Sequence, residues 1–307
     1  MSKAITFSEY GAAEVLRPSE VTPPEPAPGQ VRIRARAASV TPFDLKHRTG
    51  LMAQAAPARF PVIPGLDAAG VVDAVGEGAD AAVGDEVLGF TVGGGYAEYA
   101  LLVRSVGRPR SLSWEVAASL VTVGETASRV LRQLDARAGQ TLLVHGAAGS
   151  VGTIAVQLAV ARGITVVGTV GEHDVERLTA QGATAVRYGD GWAERVKAAA
   201  PRGVDLVFDA SGAGVLADSV ALAGDSARVI TIADMSAAEH GVRFSAGSAG
   251  SAGSADQADD SLPQLVQLAA AGELDLPVWR TYPLDQAATA HRDIEARRNK
   301  GKVVLLP

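Results

Sequence analysis

The stretch TLLVHGAAGSVGTIAVQLAVARGITVVGTV, residues 141–170, decides how the rest of the chain is read. Thr141 to Val144 is a short continuous apolar run, the pattern of a strand buried on both faces. Gly146, Gly149 and Gly152 follow at three-residue spacing, and Val151, Ile154, Ala155, Leu158 and Ala159 then fall on one face of a helix. A second β-branched run leads to Val170. Strand, glycine turn, helix and strand make one unit of a parallel sheet. Such a turn binds phosphate for a physical reason: glycine lets the backbone approach a pyrophosphate closely, and the free N–H groups and dipole of the helix N-terminus stabilise its charge. The dinucleotide fingerprint G-x-G-x-x-G is met here as Ala147-Ala148-Gly149-Ser150-Val151-Gly152, with alanine for the first glycine. A turn that serves only helix–strand packing would read the same way.

Similar β-branched runs recur at Val204–Ser211 and Ala227–Ala233, separated by helical or loop segments, so the middle of the chain reads as a doubly wound α/β domain. The N-terminal part has another texture. Val31–Val40, VRIRARAASV, alternates apolar residues with Arg32, Arg34 and Arg36, as a half-exposed antiparallel strand does. Short Val-rich pieces broken by Pro and Gly follow, which suggests a small β-barrel over roughly the first 110 residues. Ser113 is placed to cap a helix WEVAASLV, and Thr122 with Glu125 has capping-box spacing for a second helix. The repeat SAGSAGSAGSA at 245–255 reads as a surface loop. LPQLVQLAAAG then has helical periodicity, and KVVLLP ends the chain as a strand docked into a sheet.

Composition excludes whole classes of chemistry. The 307 residues contain no cysteine, so there is no disulfide scaffold, thiolate zinc site, iron–sulfur cluster or cysteine nucleophile. Apolar residues make up 47% and charged residues 20%, with 28 basic against 34 acidic side chains. A net charge of −6 gives no attraction to nucleic acid or to an anionic membrane. The segment 138–161 lacks Asp, Glu, Lys and Arg, but Gln140, His145, Gln157 and the glycine turn would put a polar break in mid-membrane. The N-terminus has no secretory pattern, and a cytosolic protein is expected.

At the end of the second strand of a dinucleotide domain, a carboxylate bonds the ribose hydroxyls and repels a 2′-phosphate. That position falls on Gly171, which carries no acid, although Glu172 is adjacent and the nearest cations are His173 and Arg177. NADPH is expected to be preferred, with NADH possible.

Together the motifs resemble the medium-chain dehydrogenase/reductase superfamily, and within it the zinc-independent, zeta-crystallin-like quinone oxidoreductases. The resemblance runs from Thr41-Pro-Phe-Asp44 and Arg48-Thr-Gly50, through Pro64-Gly-Leu-Asp-Ala-Ala-Gly-Val-Val72, Gly84-Asp-Glu-Val-Leu-Gly89 and Gly95-Tyr-Ala-Glu-Tyr99, to Gly124-Glu-Thr-Ala127. It continues in the glycine turn, Tyr282-Pro-Leu-Asp285 with Ala290-His291, and Gly301-Lys-Val-Val-Leu305. It implies a GroES-like β-barrel substrate domain (1–115), a Rossmann domain (116–246), a C-terminal return to the substrate domain (247–307), an active site in the cleft and a homodimer. The positions matching zinc ligands of other members hold Thr41, Leu66 and Thr122, so no metal is expected. Thr126, Gly146, Ala148, Gly149, Ser150, Val151, Gly152, Gly171, Arg177, Tyr188, Ser211, Ile232 and Lys302 are expected to bind the cofactor. Two positions depart from the family: Thr41 stands where Asn is usual, and Val175 near where a Lys meets the 2′-phosphate. The expected activity is metal-free, NADPH-dependent hydride transfer to a quinone or α,β-unsaturated carbonyl, with Thr41 as candidate donor beside the nicotinamide. A dinucleotide-binding redox sensor or crystallin-like structural protein is the alternative.

Overall fold

The computed structural model describes residues 1–54, 57–247 and 261–307. They divide into two compact units, Met1–Thr122 with Leu262–Pro307, and residues 123–247 with Ser261. In the first unit β1 (Ser2–Thr6) pairs antiparallel with β2 (Arg17–Val21). The alternating segment forms β3 (Val31–Val40), which pairs antiparallel with β4 (Asp67–Val75). β5 (Glu86–Val92) joins β4 to β6 (Tyr99–Gly107), and the first residues of β3 pair back onto β6, so the four strands close into a ring. Closure leaves no free edge among them. Val31, Ile33 and Ala35 fill the interior with Ile5, Phe7, Leu102 and Leu305, while Arg32 turns outward onto Asp73 through bonds of 3.0 and 3.2 Å.

After β3 comes α1 (Pro42–Arg48). From the chain's other end, α7 (Leu262–Ala270), β13 (Val278–Pro283), α8 (Ala287–Glu295) and β14 (Lys302–Leu306) complete the unit. β14 lies between β13 and the last residues of β3, so the closing KVVLLP docks as its apolar run requires.

Helix α2 (Trp114–Gln133) corrects one expectation. Ser113 caps it, its Oγ accepting from Val116 N at 3.3 Å, but no second helix starts at Thr122. Thr122 Oγ1 has no hydrogen-bond partner, its backbone N–H reaches Asp67 Oδ2 at 3.1 Å, and the helix continues through it. A capping-box spacing inside an apolar periodic stretch is overridden when helix continuation keeps that face buried, as Val121, Ala127 and Val130 are here.

The second unit is a six-stranded parallel sheet in the order β12-β11-β10-β7-β8-β9. β7 (Thr141–His145), α3 (Ser150–Ala161), β8 (Thr165–Val170), α4 (Val175–Ala180) and β9 (Thr184–Arg187) wind outward on one side. α5 (Trp192–Ala199), β10 (Leu206–Asp209), α6 (Leu216–Ala223), β11 (Val229–Thr231) and β12 (Arg243–Phe244) wind out on the other. The winding reverses between β7 and β10, the position at which doubly wound sheets bind ligands.

From residue 248 the Ser-Ala-Gly repeat lies outside the described residues. Its first residue departs from the loop reading: Ser245 is buried, donating to Gln133 Oε1 at 2.7 Å and accepting from Arg129. The Arg129 guanidinium is itself buried beside Glu125, with Nε to Oε1 at 2.7 Å, and a buried cation requires further acceptors. Among the described residues no helix is long and apolar enough to cross a membrane.

Candidate functional site

The glycine turn joins β7 to α3. Gly146 adopts φ +71°, a conformation that glycine reaches without strain. Its carbonyl receives Gly149 N at 2.9 Å and folds the loop back. The next two glycines differ in what surrounds them. A Cβ at Gly152 would lie 2.2 Å from Gly146 O and 2.8 Å from Ala147 Cα, so α3 comes this close to the loop only because residue 152 lacks a side chain. A Cβ at Gly149 would meet only Gly146 O, at 3.2 Å. Gly149 is the N-cap of α3 and no side chain caps that end, which leaves the first-turn N–H groups of Ser150, Val151 and Gly152 for an anion. Ala147, in place of the first glycine, is fully buried, and its methyl would sit 2.6 Å from a Cβ at Gly168 of β8. The strand supplies the room that the loop lacks.

Gly171 follows β8, beside Tyr188 at the end of β9: a Cβ there would be 3.3 Å from the Tyr188 hydroxyl. Tyr188 is 68% exposed. Arg177 turns toward the loop, its guanidinium donating to Ala148 O at 2.9 Å, Thr153 Oγ1 at 3.4 Å and Asp174 Oδ1 at 2.9 Å. The cation that sequence reasoning missed is Arg187, which the pairing of β8 with β9 brings within 3.3 Å of Glu172. Only the register of β9 could have revealed it.

Asp209, fully buried at the end of β10, organises the two loops beyond. Its Oδ1 accepts from Ser211 N, Ser211 Oγ and Gly212 N, and its Oδ2 from Thr231 Oγ1 at 2.8 Å. Ile232 is held by its N–H on Asp209 O at 3.0 Å. These bonds set Ser211 and Ile232 at the sheet's C-terminal end. Thr126 lies on α2 within the buried Glu125–Arg129 pair, its hydroxyl 3.4 Å from Glu125 Oε2 and from Arg129 Nη2. His145, in the middle of the sheet, is bound through both ring nitrogens to Thr169 and Ser219 at 3.1 Å, and burial lowers its pKa to about 4.

The first unit holds two adjoining buried polar groups. Thr41 caps α1, and its hydroxyl and N–H both donate to Asp44 Oδ2, at 2.8 and 2.7 Å. Asp44 Oδ1 accepts from Gly65 N at 3.0 Å, and Tyr96 OH approaches Oδ2 at 3.3 Å and His291 Nε2 at 3.2 Å. Burial raises Asp44 to about 6 and lowers His291 to about 3. Beside them Lys302, 3% exposed, donates to Ser39 Oγ at 3.1 Å and Val40 O at 3.2 Å, and Ser39 donates to Asp67 Oδ1 at 2.5 Å. Burial lowers the Lys302 ammonium, an effect that Asp67 and Asp44 oppose. Thr41 and Lys302 thus already have protein partners.

Thr41, Leu66 and Thr122 do not fit a zinc ion: the first hydroxyl is engaged by Asp44, the second side chain is aliphatic and the third is a lone hydroxyl. Among the described residues no group of three or more His, Asp or Glu could hold a metal.

A family model described as an alcohol dehydrogenase GroES-like domain matches residues 27–106, and one described as a zinc-binding dehydrogenase matches residues 181–305. The chain is 32% identical to the quinone oxidoreductase of Rattus norvegicus over 324 residues, covering 100% of this chain and 98% of that one. It is also 32% identical to the quinone oxidoreductase of Pseudomonas aeruginosa over 336 residues, covering 100% of both. Among solved structures, the quinone oxidoreductase from Coxiella burnetii superposes with a TM-score of 0.86 at 28% identity, covering 100% of this chain and 99% of that one. That of Escherichia coli, solved in complex with NADPH, gives 0.85 at 25% identity, covering 99% and 100%. A closed GroES-like barrel, a doubly wound parallel sheet with a glycine turn at its first strand, and relatives matched along their whole length agree: the chain belongs to the quinone oxidoreductase family of the medium-chain dehydrogenase/reductase superfamily.

Proposed function

We propose that this protein is an NADPH-dependent, metal-free oxidoreductase that reduces a quinone or an α,β-unsaturated carbonyl. The observation that carries the reading is the uncapped N-terminus of α3 behind a glycine loop in which a Cβ at Gly149 would meet a single atom, Gly146 O, at 3.2 Å. The N–H groups of Ser150, Val151 and Gly152 bind the pyrophosphate, with Gly146 and Ala148 shaping the approach. Ser211, Ile232 and Thr126 line the remainder of the cofactor, and Lys302 is a further candidate for binding it. The NADPH solved with the Escherichia coli relative supports this choice of dinucleotide.

Preference for the 2′-phosphate follows from the ends of β8 and β9. Gly171 carries no acid, Tyr188 offers a hydroxyl, and Arg187 makes an exposed pair with Glu172, which a phosphate would displace at little cost. Arg177 is shared with Asp174 and braces the loop, so its help is partial. The preference is therefore modest, about tenfold or ~1.4 kcal/mol. Bound NADPH supplies hydride. The reduced acceptor becomes an enolate or phenolate, which requires a positioned donor and one proton, and Thr41 is the donor.

The test is NADPH oxidation with 1,4-benzoquinone and with small enones, comparing kcat/KM for NADPH and NADH. Turnover with both acceptor types, favouring NADPH, is expected. Gly171→Asp should reverse the order, because the added carboxylate repels the phosphate and needs only a small shift of the exposed Tyr188. Absence of turnover despite dinucleotide binding would leave the sensor or crystallin-like reading. Preference for NADH would assign the acid's role to Glu172.

A further inference from the structure

We propose that Asp44, Tyr96 and His291 form a buried proton relay that reloads the Thr41 hydroxyl after it protonates the reduced substrate. The inference rests on the reading of Thr41 as the substrate's donor. It starts from a conflict in that reading: Thr41 has one hydroxyl proton, and that proton points at Asp44 Oδ2 at 2.8 Å. Thr41 can donate to an oxyanion only if Asp44 stops accepting. A carboxyl that returns a proton to Thr41 Oγ1 does this in one movement.

The groups behind Asp44 are arranged to supply that proton. Tyr96 OH lies between Asp44 Oδ2, at 3.3 Å, and His291 Nε2, at 3.2 Å. All four side chains are buried, and the other ring nitrogen, His291 Nδ1, is buried with no hydrogen-bond partner. That orphan selects the tautomer. Protonated at Nδ1, the ring would bury an unpaired N–H; protonated at Nε2, it donates to Tyr96, Tyr96 donates to Asp44, and only a lone pair is left unmatched. The chain then runs in one direction, from His291 through Tyr96 to Asp44, and the bare Nδ1 is the position where a proton enters.

The step balances. Hydride addition leaves an oxyanion on the substrate; the Thr41 O–H bond breaks and a substrate O–H bond forms. The Asp44 carboxylate takes the Tyr96 proton on Oδ2 and hands it to Thr41 Oγ1, Tyr96 takes that of His291 Nε2, and Nδ1 takes one from water, which leaves as hydroxide. One proton passes from water to substrate, and His291 changes tautomer until exchange with water resets it. The groups facing the relay suit it. Asp67 on β4, Lys302 on β14 and Arg48 on α1 are the charges around Asp44 and His291, and Asp44, raised to about 6 chiefly by burial, is a carboxylate at neutral pH that takes up a proton more readily than an ordinary one. Tyr96 is raised well above its ordinary value by burial and by Asp44, so it passes protons without resting as a phenolate.

The experiment is steady-state reduction of 1,4-benzoquinone by NADPH in H2O and D2O, for wild type, His291→Gln and Tyr96→Phe. Gln keeps a donor to Tyr96 but has no second titratable nitrogen, so it preserves the bond and cuts the relay. Both variants should lose about 100-fold in kcat, the scale of general acid–base assistance, with KM little changed and a larger solvent isotope effect. In wild type, kcat across H2O/D2O mixtures should bow below a straight line, because more than one proton moves. A linear dependence in wild type, or a folded His291→Gln with wild-type kcat and isotope effect, overturns the relay and leaves the oxidoreductase reading intact. No wild-type turnover at all refutes that reading first.

Discussion

At the residue scale, the two later glycines of the turn have separate duties that a motif does not distinguish. Gly152 is a packing glycine: an added methyl would meet Gly146 O at 2.2 Å, and neither backbone can yield. Gly152→Ala should cost roughly 2 to 3 kcal/mol of stability, the scale of overpacking, as read by urea unfolding. Gly149 keeps the pyrophosphate approach open. Gly149→Val should cost only about 1 kcal/mol as a poorer N-cap, yet lower dinucleotide affinity about 100-fold by calorimetry, equal to roughly 2.7 kcal/mol. Unchanged affinity in a folded Gly149→Val protein would make the turn structural. Arg187 shows the limit of sequence reasoning at this scale, since its pairing with Glu172 depends on how β9 lies beside β8.

At the scale of elements, the alanine in the fingerprint is matched by a glycine on the neighbouring strand. Ala147 and Gly168 occupy one space, which holds one methyl. Gly168→Ala should be destabilising, and the same change in an Ala147→Gly background should cost less, with a coupling of roughly 1 kcal/mol or more in a double-mutant cycle. The residual cost would come from Leu178, whose Cδ2 also lies 2.6 Å from the added carbon but at the end of a flexible side chain. Equal costs in both backgrounds would refute the compensation. Helix α2 teaches a related lesson. Local capping chemistry at Thr122 and Glu125 signals a helix start, but Glu125 is taken by Arg129 and the Thr122 N–H by Asp67. A neighbour one turn along the helix and a distant carboxylate on β4 occupy the groups that a helix start would have used.

At the scale of the molecule, stability should depend on pH through histidines buried neutral. His145 falls from 6.5 to about 4 because burial disfavours its charge, although Asp209 acts the other way. The unfolded chain therefore binds a proton more readily, and this stabilisation is complete above pH 6.5 and is lost as pH falls toward 4. Asp44 has the opposite sign: raised to about 6, it contributes most below 3.8 and loses that contribution as pH rises through 6. Between pH 7 and pH 4.5, wild type should lose roughly 2 to 3 kcal/mol more than His145→Asn, even though the variant starts less stable without the full span from Thr169 to Ser219. Urea titrations at the two pH values measure this; parallel losses would show that His145 does not titrate in that window.

The sequence by itself determined the elements whose signal is local. The period of Val31–Val40, the apolar run of Thr141–Val144, the glycine spacing before α3 and the closing KVVLLP each specify which face a segment must bury, and the structure buries those faces. What only the tertiary structure decided is how groups far apart in the chain share space and protons. The closed ring through β3 and β6, the room Gly168 leaves for Ala147, and the line from Thr41 through Asp44 and Tyr96 to His291 join residues that no window of sequence contains. Such pairings are set by packing and by the cost of leaving a buried polar group alone, and both exist only once the chain has folded.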